Sequence, residues 1–346
     1  MGKRLGDWEI QRDLSEGGQG WTHIVHKIAD TAPFVMKRLK NKTRLHRFQR
    51  EIDVGLKLSH PNIVKVVAYD LENNDPYFVS EYYPGGSLQE LAVEAFSLVE
   101  KLQMFHAICL GVGEAHLSQV IHRDLKPLNI FLKSDLSPVV GDFGLCLLLD
   151  DEKRLTQDSE VIGGRFFVAP EHEDGRFEDA SAQSDLYSLG KILYWLCSDK
   201  EIFNREKHRE GKWDLTARDS GSAIRLIYEV LDGTIVADPD KRQYHDALDL
   251  ASSIEDVIRR VQMQAHAIGS KHPQLCSYCG KGTYQKLLHE PAKPSGRANL
   301  GHKSHDMAIQ FINTGTPIVW LVMACDYCGN VQWFRPDKAK DTKIWD

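Results

Sequence analysis

Long hydrophobic runs are missing from this sequence. No stretch of about 18 apolar residues escapes interruption by a charge, so no membrane-spanning helix is expected. The opening MGKRLGDWEI has no apolar core of the kind a signal peptide needs, so secretion is not expected and the cytoplasm is the expected compartment. Internal repeats and low-complexity tracts are absent, although residues 290–301 are rich in Pro, Gly and Ala and read as a loop. Cysteine is sparse. Cys109, Cys146 and Cys197 are scattered, and the other four fall in two tight pairs, Cys276 with Cys279 and Cys325 with Cys328. In a reducing compartment such pairs point to metal binding and away from disulfides.

What is present suffices for a full core. The chain has 346 residues, 42% of them apolar, and at about 150 residues per domain its length suggests roughly two domains. Charge shows where the second begins. Residues 263–346 carry 10 Lys+Arg against 6 Asp+Glu, leaving 33 against 43 for residues 1–262, so an acidic body of net −10 precedes a tail of net +4.

In the body, short runs (WEIQRDL, WTHIVHKI, PFVMKRL, NIVKVVAYDL, PYFVSEYY) read as strands, interrupted by one helical pattern over 41–58. After Pro84-Gly85-Gly86 the period changes: 87–95, 99–117, 182–196, 222–231 and 244–264 space their apolar residues three and four apart. A strand lobe (1–83), a helix lobe (84–262) and a small β-rich module (263–346) make an α+β architecture.

Between the first two strands, Ser15-Glu16-Gly17-Gly18-Gln19-Gly20 offers backbone amides with little side chain in the way, suited to close over a nucleotide's phosphates. Lys37 on a strand and Glu51 on a helix add a second part, because a glutamate-held ammonium presents a fixed positive charge to phosphate. The densest segment is 120–131 (VIHRDLKPLNIF), followed by Gly141-Asp142-Phe143-Gly144-Leu145. Its carboxylates and amide are hard oxygen ligands of the kind Mg²⁺ takes, and its cations suit phosphate oxygens.

These segments resemble the eukaryotic-type (Hanks-type) serine/threonine protein kinases. The resemblance continues in the family's order through Ala169-Pro170-Glu171, 184–190 with Asp185, and 238–242 with Arg242, covering about residues 8–262. It implies a bilobal protein-kinase fold and transfer of phosphate from ATP to protein hydroxyls, autophosphorylation included, with Mg²⁺ (or Mn²⁺). It further implies that Asp124 accepts or orients the substrate hydroxyl and that Asn129 and Asp142 hold Mg²⁺. Lys37, anchored by Glu51, binds the α- and β-phosphates, while Lys126 neutralises the transferring phosphate and marks the Ser/Thr branch. Ser15, Gly17, Gly18, Gly20 and Thr22 would cover the nucleotide, Val35 and Phe131 would wall the adenine, and the hinge 80–83, with Glu81 and Tyr83, would meet it through the backbone. Glu171 with Arg242, and Asp185, resemble the family's internal polar ties, and His122 reads as a packed core histidine.

The chain also departs from that family. Ser15 replaces a glycine, Gln19 a common aromatic and Thr22 a valine, and Gly164 stands where a threonine usually bonds the catalytic aspartate and lysine. Gly55 and Ser80 are small where the family is larger, which suggests a roomy rear pocket and a loosely held helix in need of outside help unless Leu56 or Leu58 fills the gap. Arg123 is the residue that in such kinases pairs with a phosphate on the activation segment. Thr156 and Ser159 are the candidate sites there, and Glu160 offers a carboxylate in place of the phosphate, so partial activity without phosphorylation is expected. The alternative is a pseudokinase or scaffold, against which the intact set Lys37, Glu51, Asp124, Asn129 and Asp142 argues.

In the tail, Cys276-Ser277-Tyr278-Cys279-Gly280 and Cys325-Asp326-Tyr327-Cys328-Gly329 are matching knuckles. Four thiolates close a tetrahedral site, which means structural and not catalytic Zn²⁺. The pattern resembles a zinc ribbon, although 45 residues separate the knuckles where roughly 15–20 is usual. Runs at 283–288, 318–324 and 331–334 would supply its hairpins. Lysines interleaved with tyrosines suit nucleic acid, and a protein docking partner is the equal alternative.

Overall fold

The computed structural model describes residues 4–16, 20–28, 30–143, 166–173, 181–217, 222–269, 284–286, 321–325 and 331–334. The chain divides into two compact units, Met1–Glu255 and Asp256–Asp346. The boundary read from charge, 262/263, falls inside a continuous helix, Ala247–Gly269. Among the described residues no helix is long and apolar enough to cross a membrane.

The first unit opens with a six-stranded antiparallel sheet. Its strands are β1 (Arg4–Leu5), β2 (Trp8–Glu16), β3 (Gly20–Lys27), β4 (Phe34–Leu39), β5 (Val66–Asp70) and β6 (Tyr77–Glu81), in the order β1-β2-β3-β4-β6-β5. Side chains alternate across a strand, and the sequence uses both faces. Trp8, Val25, Met36, Tyr77 and Val79 form a core on one side. The register Thr22↔Lys37 and Ile24↔Val35 turns Thr22, Val35 and Lys37 to the other side. There α1 (Leu45–Lys57) lays Phe48 and Ile52 into a cluster with Leu39, Val66 and Phe78. The helix begins later than residue 41 because the Asn41 side chain accepts the Thr43 N–H at 3.0 Å and caps a 3-10 turn, Lys42–Arg44, instead.

The rest of the unit is helical. Ser97 and Glu100 form a capping box, with Ser97 N–H donating to Glu100 Oε2 at 2.8 Å, and start α2 (Leu98–Leu117). Then come α3 (Pro170–Glu173), α4 (Ala182–Cys197), α5 (Ser222–Thr234) and α6 (Ala247–Gly269). The helix expected over 87–95 is instead two 3-10 turns, Leu88–Glu90 and Val93–Ala95. Leu88 and Val93 are both buried, and five residues place them on different faces of a helix. The chain becomes extended at Leu91 (ψ 135) and so buries both. A short hairpin, β7 (Ile130–Leu132) with β8 (Pro138–Val140), follows the 3-10 turn Pro127–Asn129. Three residues per strand are too few to show a period. In the second unit, β9 (Tyr284–Lys286), β10 (Leu321–Cys325) and β11 (Val331–Phe334) pair antiparallel in the order β11-β10-β9.

Candidate active site

The face of the sheet that carries Thr22, Val35 and Lys37 is where the site is built. Lys37 Nζ donates to Glu51 Oε1 at 2.7 Å and Oε2 at 3.0 Å, so strand β4 and helix α1 are locked together by a part-buried ion pair. The same ammonium donates to Asp142 Oδ1 at 3.3 Å. Burial disfavours the Lys37 cation, but the carboxylates of Asp142 and Glu51 outweigh it and hold the amine protonated well above its ordinary range. The Lys37 charge in turn keeps Asp142 ionised below the usual carboxylate range. Glu51 is pushed up by burial, with Lys37 pulling it back.

A second cluster lies on the loop between α2 and β7. Asp124 receives Lys126 Nζ at 2.8 Å on Oδ2 and 3.1 Å on Oδ1. Asn129 Nδ2 donates to Asp124 Oδ2 at 2.9 Å and to the Asp124 carbonyl at 2.8 Å. With its amide nitrogen spent on Asp124, Asn129 keeps its Oδ1 for another donor or for a cation. Asp142 sits in the left-handed region at φ 57, a conformation that costs a non-glycine residue of order 1 kcal/mol and that clusters at functional sites. An amide oxygen and a carboxylate are the hard oxygen donors that Mg²⁺ takes, so these two residues fit a Mg²⁺ bound together with phosphates. Among the described residues no group of three or more His, Cys, Asp or Glu side chains is arranged to hold a metal by itself.

Buried polar ties hold this loop. Asp185, fully buried on α4, accepts the backbone N–H of His122 at 2.7 Å and of Arg123 at 2.9 Å. His116 on α2 is a third partner at 3.0 Å. The Ala247 N–H donates to His116 Nδ1 at 3.2 Å, which assigns the ring proton to Nε2, facing Asp185. Burial raises the Asp185 pKa, and these donors more than reverse it, leaving an ionised carboxylate inside the core. His122 has no exposed surface; its Nε2 meets the Gly141 carbonyl at 2.9 Å and its ring packs on Phe143 at 4.7 Å. His122 is thus the packed histidine expected of it. Glu171 receives Arg242 bidentately at 2.7 and 2.8 Å. Burial pushes Glu171 up, and Arg242 overcomes it to keep the carboxylate below its ordinary range. His116 was not found from the sequence; it lies in the last turn of α2, two residues after Glu114, with no motif to mark it.

Phe131, expected as an adenine wall, has an aromatic neighbour. Phe131 on β7 stacks with Tyr83 at 6.3 Å between centroids, 16° apart. Gly141 makes room for the Phe131 ring, since a Cβ there would come within 2.8 Å of it. Ser80 is buried behind the hinge. Within the hinge, the Glu81 N–H donates to the Lys65 carbonyl at 3.2 Å and the Tyr83 carbonyl accepts the Gly86 N–H at 3.3 Å.

The gap expected at Gly55 is filled. A Cβ built on Gly55 would collide with Val66 Cγ2 of β5, so Gly55 marks the closest approach of α1 to the sheet and not a void. Leu58 is buried, whereas Leu56 is 51% exposed and fills nothing. Together with the closed Lys37–Glu51 pair, this replaces the loosely held helix with a tightly seated one. Gly20 and Thr22 lie on β3 and Ser15 at the end of β2. Gly17, Gly18, Gln19, Thr156, Ser159, Glu160, Gly164, Cys276, Cys279 and Cys328 lie outside the described residues, and Cys325 is the last residue of β10.

Comparison with known proteins agrees with this geometry. Residues 8–264 match the family model described as protein kinase domain. The chain is 29% identical to the serine/threonine-protein kinase PrkC of Bacillus subtilis over 272 residues, which cover 74% of this chain and 41% of that protein. It is 29% identical to the serine/threonine-protein kinase PknB of Mycobacterium leprae over 209 residues, 57% of this chain and 33% of that one. With the serine/threonine-protein kinase Nek1 of Mus musculus it shares 28% over 256 residues, 71% of this chain and 19% of the relative. The chain therefore spans less than half the length of these curated relatives.

Proposed function

The chain belongs to the protein kinase domain family, and on that premise we propose that it transfers the γ-phosphate of ATP to serine and threonine hydroxyls of proteins, its own included. The observation that carries the reading is the unbroken array from Glu51 through Lys37 to Asp142, next to Asp124 with Lys126 and Asn129. Phosphoryl transfer asks chiefly for positioning and charge neutralisation, and every charge in this array already has a fixed direction. Lys37 holds the α- and β-phosphates; Asp124, fixed by two donors, orients the acceptor hydroxyl; Lys126 faces the phosphate in transit. Asn129 and Asp142 would hold Mg²⁺, which when bound neutralises phosphate oxygens. Arg123 would read phosphorylation at Thr156 or Ser159, with Glu160 as a partial stand-in.

Full-length protein given γ-labelled ATP, Mg²⁺ and a protein mixture should place label on phosphoserine and phosphothreonine, none on phosphotyrosine, and lose transfer on chelation. Absence of any transfer would favour the scaffold reading instead.

We assign the second unit a structural zinc site. Supporting it, Cys325, the last residue of β10, pairs in register with Tyr284 of β9, and Tyr284 follows Cys279 by five residues in sequence. Closed coordination would give it recognition of a protein or nucleic-acid partner and no chemistry of its own. Metal analysis should find one zinc per chain, retained on dialysis and lost in Cys325→Ser; a metal-free wild type rejects the site.

A further inference from the structure

Between α4 and α5 the described chain, residues 198–217, forms nothing longer than the 3-10 turns Lys207–Arg209, Gly211–Trp213 and Leu215–Ala217. Side chains of the two helices hold this strap. From α4, Tyr187 donates to Glu206 Oε1 at 3.3 Å, Lys191 to the Phe203 and Arg205 carbonyls at 2.8 and 3.0 Å, and Tyr194 to the Trp213 carbonyl at 2.9 Å. From α5, the Tyr228 hydroxyl accepts the Leu215 N–H and reaches Asp214 Oδ1, each at 2.7 Å. Tyr187, Lys191 and Tyr194 lie about 180–240° around α4 from Asp185. One side of the helix therefore holds the strap and the other holds the loop of Asp124.

One pin of the strap is a histidine, the side chain that changes charge near neutral pH. His208 is 5% exposed, and its Nε2 meets Asp232 Oδ1 of α5 at 2.9 Å. That bond puts the ring proton on Nε2 and leaves Nδ1 bare, buried and without a partner among the described residues. The ring lies near Phe203 and Tyr228, at 5.9 and 6.3 Å between centroids. Charge around it is unevenly placed. Asp232 is the carboxylate it meets, and Arg209 of its own turn already binds that carboxylate through Nε at 2.9 Å and through Nη2. Lys191 of α4, with Nζ 3.4 Å from the Phe203 ring centroid, and Arg209, lying over the Tyr228 ring, are the cations on either side. The Asp214 carboxylate is engaged by the Tyr228 hydroxyl. A second proton on the ring would occupy Nδ1, a buried donor with no acceptor, and would add a third positive charge beside Lys191 and Arg209.

We propose that the strap is an acid-released latch: uptake of one proton by His208 unseats residues 203–215 from α4 and α5 while the loop of Asp124 stays in place. The device belongs to the fold and is independent of phosphate transfer. Burial pushes the His208 pKa down, Arg209 and Lys191 add to this, and Asp232 offsets only part of it. The closed strap thus keeps the neutral ring. Its hold is complete above the ordinary histidine value of 6.5 and is lost as pH falls below it. Burial raises Asp232, but Arg209 and His208 outweigh it, and the Tyr228 hydroxyl lowers Asp214, so both carboxylates stay ionised through this window. At about one pH unit below the ordinary value, an open strap that takes the proton freely gains about tenfold over a closed one that refuses it.

The test is hydrogen exchange of the full chain read by mass spectrometry at about pH 7.5 and 5.5, with rates corrected for the intrinsic effect of pH. Wild-type protection over 203–215 should fall by about three- to tenfold at the lower pH, with protection over 120–132 unchanged. His208→Gln, which offers Asp232 an amide donor that does not titrate, should show equal protection over 203–215 at both values. Constant wild-type protection, an equal fall over 120–132, or the wild-type fall persisting in His208→Gln overturns the inference. If His208→Gln does not fold, NMR titration of the wild-type His208 ring decides. A ring that protonates only as 203–215 opens supports the latch, and one that protonates with protection retained overturns it.

Discussion

Replacing Lys37 by methionine is expected to lower kcat/KM by about 10²–10³ or more, the range for removing one fixed charge-stabilising donor from an active site. The argument begins with what is left behind. Lys37 stands between Glu51 and Asp142, at 2.7 and 3.3 Å, and its side chain is 17% exposed against 9% and 34% for theirs. Without the ammonium, two carboxylates face each other in a part-buried setting. Breaking a buried pair costs about 3–5 kcal/mol, and the exposure of Asp142 argues for the low end. The pair can escape only by protonating one partner, and burial already pushes Glu51 that way. Lys37→Met should therefore melt earlier at pH 8 than at pH 6, where a proton can replace the lost cation, relative to wild type at the same two values. Lys37→Arg is not expected to rescue, because a planar guanidinium cannot take the place of a compact ammonium between two acceptors. Steady-state kinetics and melting curves at the two pH values check both halves, and unchanged kcat/KM in Lys37→Met would mean that this lysine does not meet phosphate.

Gly55→Leu carries the second large effect. A glycine inside a helix costs about 1 kcal/mol relative to alanine, and α1 accepts that cost because a Cβ at 55 would overlap Val66 Cγ2. Leucine adds a whole side chain at a contact that has no room for one carbon. Overpacking of this kind costs about 1–3 kcal/mol, or roughly 2–4 °C in melting temperature per kcal/mol for a unit of this size. The helix can respond only by lifting from β5. Glu51 lies one turn before Gly55 on the same face, so the lift withdraws it from Lys37. A displacement near 1 Å at such a site can cost about 10²-fold in rate. Val66→Ala in the same chain should restore part of both losses, and the double-mutant cycle measures that coupling. Gly55→Leu with wild-type melting and activity would show that α1 is not seated on Val66.

The candidate groups of the site were legible in the sequence because they are written in short, chain-local clusters. Asp124, Lys126 and Asn129 lie within six residues and meet as that spacing implies, with Lys126 and Asn129 both on the Asp124 carboxylate. The strands bearing Thr22, Val35 and Lys37 were legible for the same reason, since a two-residue period is local. The 87–95 segment was misread because spacing was judged without knowing where the core lay, and burial of both Leu88 and Val93 required two turns in place of one helix. His116 was missed because its partners, Asp185 and Ala247, are 69 and 131 residues away along the chain.

Residue types and local spacing therefore determined which groups are the candidates for the chemistry, and which lobe is strand and which helix. Tertiary structure decided everything that depends on contact between distant segments. Lys37 and Asp142, 105 positions apart in sequence, meet at 3.3 Å, Gly141 yields its space to Phe131, and Gly55 is a point of closest approach where a gap was expected. A sequence shows the size of a side chain but not what stands opposite it, and whether a small residue leaves a cavity or admits a neighbour is settled only by packing.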